Sequence, residues 1–174
     1  MNFCRRCGSK LSTTDNHVYV CKNKHTLYLN SAPAVSVAFM SPDNKIILSI
    51  RAHEPFKGGL DFIGGFVDGS ESFEQALERE IKEETGLDPS DYGPFTYLTS
   101  AFGIYPFGGE DCPILSTFYT TRLLTDKPLI PSDDVAEIVT MSIDDIDPND
   151  AGGDDIKTCL NLLKARSEEM KQQL

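Results

Sequence analysis

Three glutamates, Glu80, Glu83 and Glu84, stand at i, i+3 and i+4 in the stretch GFVDGSESFEQALEREIKEETGL, residues 65–87. On a helix these side chains project from neighbouring positions, and a like-charge pair at i, i+4 costs roughly 0.2–0.5 kcal/mol. A hard divalent cation removes that repulsion by using the oxygens as ligands. Glu71 lies just ahead of the three, and the carbonyl of Gly65 on a glycine turn offers a further oxygen. Cations held in this way can neutralise an anionic substrate and align an attacking water. A carboxylate taking the proton of that water accelerates reaction by roughly 10²–10⁴. An isolated ExxEE is more often a solvated acidic face, so the residues around it must decide.

A second group has softer chemistry. Cys4-x2-Cys7-Gly8 has the form of a zinc knuckle, and Cys21 begins a second half. The usual fourth position, 24, holds a lysine, but His25 follows and completes a Cys3His set. Four protein ligands leave no open position, so such a zinc is structural and not catalytic. The alternative is a knuckle that has lost its metal. With Cys112 and Cys159 there are five cysteines, and residues 1–10 lack the apolar core of a secretory signal. An odd count in that context argues against a disulfide framework.

Contacts to an anionic substrate have to come from few residues, because 16 basic against 27 acidic side chains leave a net charge of −11. Arg51 and Lys57 are the candidates for phosphate. Tyr105 and Phe107, in the Gly- and Pro-containing segment 103–111, are candidates for stacking on a base or a nicotinamide. The same charge disfavours nucleic acid and anionic membranes as partners, and no apolar run is long enough to span a bilayer. A soluble, cytoplasmic protein is expected.

The elements that must position these groups can be read in outline. Residues 1–30 are polar and Cys-rich and cannot form a core without a metal. AVSVAFM (34–40) and IILSIR (46–51) read as strands joined by the turn SPDN. Residues 60–67 are a short extended segment. A helix follows, with Ser72 as N-cap, Gln75 completing a capping box, an apolar stripe of Phe73, Leu77 and Ile81, and Gly86 as its stop. Residues 95–100, 113–123 and 136–142 read as further strands, with 103–111 as a loop. Asp154 or Asp155 is the expected cap of a last helix over about 156–171. This irregular interleaving predicts an α/β chain with a mixed sheet between helical layers.

Residues 65–87 also fit G-x5-E-x7-R-E-U-x-E-E-x-G-U, U being aliphatic, at Gly65, Glu71, Arg79, Glu80, Ile81, Glu83, Glu84, Gly86 and Leu87. This pattern resembles the Nudix box, and flanking strands extend the likeness over about residues 31–147. The resemblance implies an α/β/α sandwich with a mixed sheet over 31–174, preceded by a zinc-ribbon-like segment at 1–30. It implies Mg²⁺ or Mn²⁺ on Glu80, Glu83 and Glu84 with the Gly65 carbonyl, and Arg79 as the arginine that orients a box carboxylate. The implied reaction is hydrolysis of a nucleoside diphosphate joined to another group, with homodimerisation expected by analogy. The implied base is a box glutamate or an acid in a later loop, for which the candidates are Glu83, then Glu110 and Asp111, then Asp134 and Glu137.

A ribbon followed by a Nudix domain is similar to NADH pyrophosphatases and related ADP-ribose hydrolases. Those enzymes carry SQPWPFPxS after the box, whereas this chain has SAFGIYPFGGED at 100–111, which puts NADH specificity in question. Two other readings stay open. One is a zinc-ribbon binding or regulatory protein on a retired Nudix scaffold, although no box carboxylate is missing. The other is an isoprenoid diphosphate isomerase using Cys112 and Asp111.

Overall fold

The computed structural model describes residues 2–15 and 17–172. The chain divides into two compact units, Met1–Ser31 and Ala32–Leu174.

The first unit is a three-stranded antiparallel sheet of β1 (Leu11–Asp15), β2 (Val18–Cys21) and β3 (Thr26–Tyr28). Its buried apolar cluster is Cys4, Cys21 and Leu27, with Leu11 and Tyr19 against it. So small a core cannot offset the entropy of ordering its backbone, so a further staple is required.

The second unit is built on one sheet. Its strands are β4 (Ala32–Met40), β5 (Ile46–Arg51), β6 (Leu60–Asp61), β7 (Ile63–Phe66), β8 (Thr96–Phe107), β9 (Glu110–Arg122) and β10 (Val135–Met141). The order is β10-β5-β4-β9-β8, with β6 on β5 and β7 on β4. Strands β4 and β9 run parallel and the other pairs antiparallel, so the sheet is mixed. Helix α1 (Phe73–Thr85) covers one face, where Leu77 and Ile81 pack with Val35, Val37, Phe39 and Ile63. Helix α2 (Asp154–Gln172) covers the other, where Ile156, Cys159 and Leu160 meet Ala38, Leu48, Phe62 and Phe118. The result is the expected α/β/α sandwich. Each central strand is apolar on both faces because each face carries a helix.

The ends of α1 are as the sequence predicts. Ser72 Oγ accepts from the Gln75 amide, and the Gln75 side chain accepts from the Ser72 amide. Gly86 ends the helix in the left-handed region at φ 76°. Two expectations need correction. Residues 103–111 are not a loop: β8 and β9 extend through them as a hairpin, paired as far as Phe107 with Glu110. Gly108 and Gly109, both at positive φ, make the two-residue turn that such a hairpin requires. Pro106 is tolerated because β8 is the last strand of the sheet. Second, neither aspartate caps α2. Both lie inside its first turn, and Lys157 bonds back to the carbonyl of Gly153. There they face the positive end of the helix dipole. Among the described residues no helix is long and apolar enough to cross a membrane.

Candidate active site

Helix α1 turns Glu80 and Glu84 toward β7. Both are buried, at 9% and 6% exposure, while Glu83 is exposed. Two glycines of β7 make this approach possible. A Cβ on Gly65 would lie 2.5 Å from Glu80 Oε1, and one on Gly64 would lie 2.1 Å from the Val35 carbonyl. The Gly64 amide donates to Glu84 Oε2 at 3.0 Å. Arg79 ties the remaining box carboxylates together. It donates to both oxygens of Glu71 at 2.7 and 2.9 Å, to Glu80 at 2.6 Å, to Glu83 at 3.1 Å and to the Phe66 carbonyl at 3.0 Å. Hydrogen bonding to Glu71, ahead of that to Glu80, raises the Arg79 pKa, and Arg79 in turn holds Glu71 below the usual carboxylate range.

The two buried acids are in the opposite condition. Burial pushes Glu84 up to about 9, against the Gly64 amide and with the charges of Glu80, Asp61 and Asp134 adding. Burial also raises Glu80, against the pull of Arg79. Oxygen donors that resist ionisation until a positive charge arrives are what a hard divalent cation stabilises. The residues present therefore fit Mg²⁺ or Mn²⁺.

Glu84, Gly64 and Gly65 line an open cleft. Arg51 lines it too, and each of its three guanidinium nitrogens makes one hydrogen bond. It donates to the Pro55 carbonyl at 2.8 Å, to Asp61 at 2.8 Å and to the Tyr105 hydroxyl at 3.1 Å. Burial lifts the Asp61 carboxyl to about 6, opposed by Arg51. Tyr105 meets Phe66 and Phe56 edge to face, with centroids 5.4 and 6.5 Å apart, so three rings form an aromatic wall.

Of the other residues singled out in the sequence, Asp134 lines the cleft. Glu110 and Asp111 are exposed on the β8–β9 hairpin, and Phe107 beside its turn is 73% exposed; none of the three lines the cleft. Lys57 and Glu137 are also exposed and outside it. Sequence reasoning missed Asp61, Phe56, Phe66, Ser116 and Asp155, all of which line the cleft. Asp61 carried a signal, a charge set between the buried Leu60 and Phe62. Asp155 carried none, because an acid at a helix start reads as a cap.

In the first unit, the ligand atoms of Cys4, Cys7, Cys21 and His25 all lie within 4.8 Å of one another. Cys7 and Cys21 sulfurs are 3.7 Å apart, and Cys4 sulfur is 3.6 Å from His25 Nδ1. A tetrahedron with Zn–S of about 2.3 Å and Zn–N of about 2.0–2.1 Å has edges of about 3.8 and 3.6 Å. The cluster therefore has the size of a zinc site. Lys24, at φ 60°, turns the chain so that the ligand comes one residue later. The Ser9 hydroxyl and amide lower the Cys7 thiol to about 5, whereas burial raises that of Cys4.

The family model described as NUDIX domain matches residues 30–160. An ADP-ribose pyrophosphatase of Methanocaldococcus jannaschii is 45% identical over 88 residues, covering 51% of this chain and 47% of that protein. An NAD-capped RNA hydrolase NudC of Vibrio atlanticus is 39% identical over 105 residues, covering 59% of this chain and 38% of that protein. The chain thus spans under half the length of these relatives. Among solved structures, a NUDIX hydrolase of Nitrosomonas europaea superposes with a TM-score of 0.69 at 21% identity, covering 99% of this chain and 93% of that one.

Proposed function

Because the chain belongs to the Nudix family, we propose that it hydrolyses the diphosphate linkage of a nucleoside diphosphate joined to a second group, using Mg²⁺ or Mn²⁺. ADP-ribose, NADH and nucleotide sugars are the substrates considered. The single observation that carries this reading is the buried pair Glu80 and Glu84 against the β7 glycines, with Glu84 opening into the cleft. In this reading Glu80, Glu83, Glu84 and the Gly65 carbonyl hold the ions. When bound, the ions neutralise the diphosphate and lower the pKa of water. Arg79 orients Glu71, Glu80 and Glu83 and takes no proton. Asp134 lines the cleft and is a better-placed base than Glu110; Glu83 remains the other candidate. Tyr105 serves the non-phosphate part of the substrate, and Arg51 acts through Tyr105 instead of gripping phosphate.

ADP-ribose is favoured over the others. The relative matched at 45% identity is an ADP-ribose pyrophosphatase, and a Shewanella oneidensis NUDIX domain of the same fold was crystallised with ADP ribose. The net charge of −11 weighs against a long RNA substrate. The Cys3His cluster is proposed as a structural zinc site, with residues 1–30 and 31–174 as separate domains. A retired scaffold is disfavoured because every box carboxylate is in place, and the isomerase reading because Cys112 and Asp111 do not line the cleft.

The test is a Mg²⁺-dependent hydrolysis screen over ADP-ribose, NADH, nucleotide sugars and nucleoside triphosphates, with Glu84→Gln as control. The expected outcome is release of AMP from ADP-ribose, lost in the variant. Full activity in Glu84→Gln refutes the metal role of that residue.

A further inference from the structure

Beyond the box, the far side of the cleft holds a polar pair that the hydrolytic chemistry does not use. Asp155, in the first turn of α2, is 5% exposed, and its Oδ2 accepts from the Ser116 hydroxyl at 2.5 Å. Ser116 is itself 2% exposed, on β9. Among the described residues nothing donates to Asp155 Oδ1. That oxygen lies close over two glycine backbones, where a side chain would displace it: a Cβ on Gly103 would lie 3.0 Å from it, and one on Gly153 2.9 Å. Ile114 and Ile156 line the cleft around the pair. Asp155 lines the cleft, so a donor carried by a ligand can reach its carboxylate. Such groups orient ligands in binding clefts.

The neighbouring strand says what kind of ligand. Gly103 and Tyr105 are two apart on β8 and so face the same side, roughly 7 Å from each other along the strand. The carboxylate of Asp155 occupies the space over Gly103, and the Tyr105 ring with its aromatic neighbours stands next to it. Arg51 and Asp61 hold that ring in place through its hydroxyl. An aromatic wall beside a lone acceptor suits a flat heterocycle that carries an N–H donor on its edge.

We propose that Asp155 and Tyr105 form the nucleobase subsite of this cleft, and that Asp155 Oδ1 accepts from the 6-amino group of an adenine stacked on the aromatic wall. This rests on the nucleotide-hydrolase reading above and adds to it which base is taken and which residue reads it. Asp155 is here a specificity residue and not a catalytic one. Hypoxanthine, with an oxygen in place of the amine, meets Asp155 acceptor to acceptor. A ribose hydroxyl offers the same donor chemistry, so it must be separated from the amine.

The experiment is calorimetric titration of AMP, IMP and 2′-deoxy-AMP into the Mg²⁺-loaded full chain, beside steady-state kinetics on ADP-ribose and its hypoxanthine counterpart. Wild type is expected to bind AMP roughly 10- to 100-fold more tightly than IMP, as for a lost hydrogen bond to a charged group. Asp155→Asn, nearly isosteric and able to donate to the 6-oxygen, is expected to shift this preference toward IMP, moving KM and leaving kcat close to wild type. Ser116→Ala is the second variant, expected to weaken the preference without reversing it. Thermal melts verify that both variants fold. Equal binding of AMP and IMP by wild type overturns the proposal, as does an unchanged ratio in folded Asp155→Asn. Loss of affinity for 2′-deoxy-AMP but not for IMP reassigns the oxygen to the ribose and also overturns it. Binding with the expected preference but no turnover of ADP-ribose defeats the hydrolase reading and leaves the subsite standing.

Discussion

The two candidate metal centres of this chain are organised in opposite ways. In the first unit the ligands are a large part of the core: Cys4 and Cys21 are two of its three buried apolar residues. In the second unit the ligands are guests of a core that exists without them, since α1 is anchored by Ala76, Leu77 and Ile81 on the sheet. Cys4, Cys7, Cys21 and His25 already converge within 4.8 Å, whereas the box glutamates are held by Arg79 and by glycine backbone. A soft site whose metal is its hydrophobic core has to be closed, and one that works on substrate has to be carried by something else and stay open. The difference teaches that ligand geometry alone does not distinguish structural from reactive metal; what the ligands are attached to does.

The comparison can be broken at either end. The largest effect is expected from Glu84→Gln or Glu80→Gln. Hydrolysis should fall by more than about 100-fold, while the circular dichroism of the second unit stays native. A variant that unfolds instead shows that the box also carries the fold. Cys21→Ser comes next. It should remove about one zinc per chain by metal analysis and collapse the amide dispersion of residues 1–31 in NMR, with the signals of β4–β10 unmoved. Persistence of that dispersion without zinc would mean that the small core suffices.

A pH experiment sharpens the contrast further. The Glu84 carboxyl stands at about 9 in the folded chain against an ordinary value of 4.5. Between those values the folded form binds a proton that the unfolded form has released, so stability should fall as pH rises through this window. The expected observation is a melting temperature in chelator that drops from pH 5 to 9 more steeply than that of Glu84→Gln, and a smaller slope with Mg²⁺. Equal slopes in chelator would remove the electrostatic argument for the site. The smallest effect is expected for Ser72→Ala. Losing the cap should cost about 1 kcal/mol in denaturant titration and leave metal affinity alone.

How far the sequence could be read depended on the range of the interactions involved. The capping box of Ser72 and Gln75, the glycine stop at 86 and the alignment of Glu80, Glu83 and Glu84 are local, fixed by helical geometry within a few residues. They were legible for that reason. The 103–111 segment was not, because Gly and Pro read as a loop in isolation, and only pairing with residues 110–122 makes a strand of it. Arg51 shows the same limit. Its charge suggested phosphate, while its partners Asp61 and Tyr105 lie 10 and 54 positions away and could not be read from the sequence.

By itself, then, the amino-acid sequence determined the family and the sandwich that goes with it, since a motif within one helix and continuous apolar runs in the strands need no knowledge of distant neighbours. Only the tertiary structure decided what faces the cleft. It drew Asp61, Asp155, Ser116 and three aromatic rings from separate strands, loops and helices to one side of the glutamates. It left Glu110, Phe107 and Lys57 in solvent. Which side chains share a cavity follows from how the sheet pairs and how the helices pack on it, and those long-range contacts leave no periodicity or spacing in the chain.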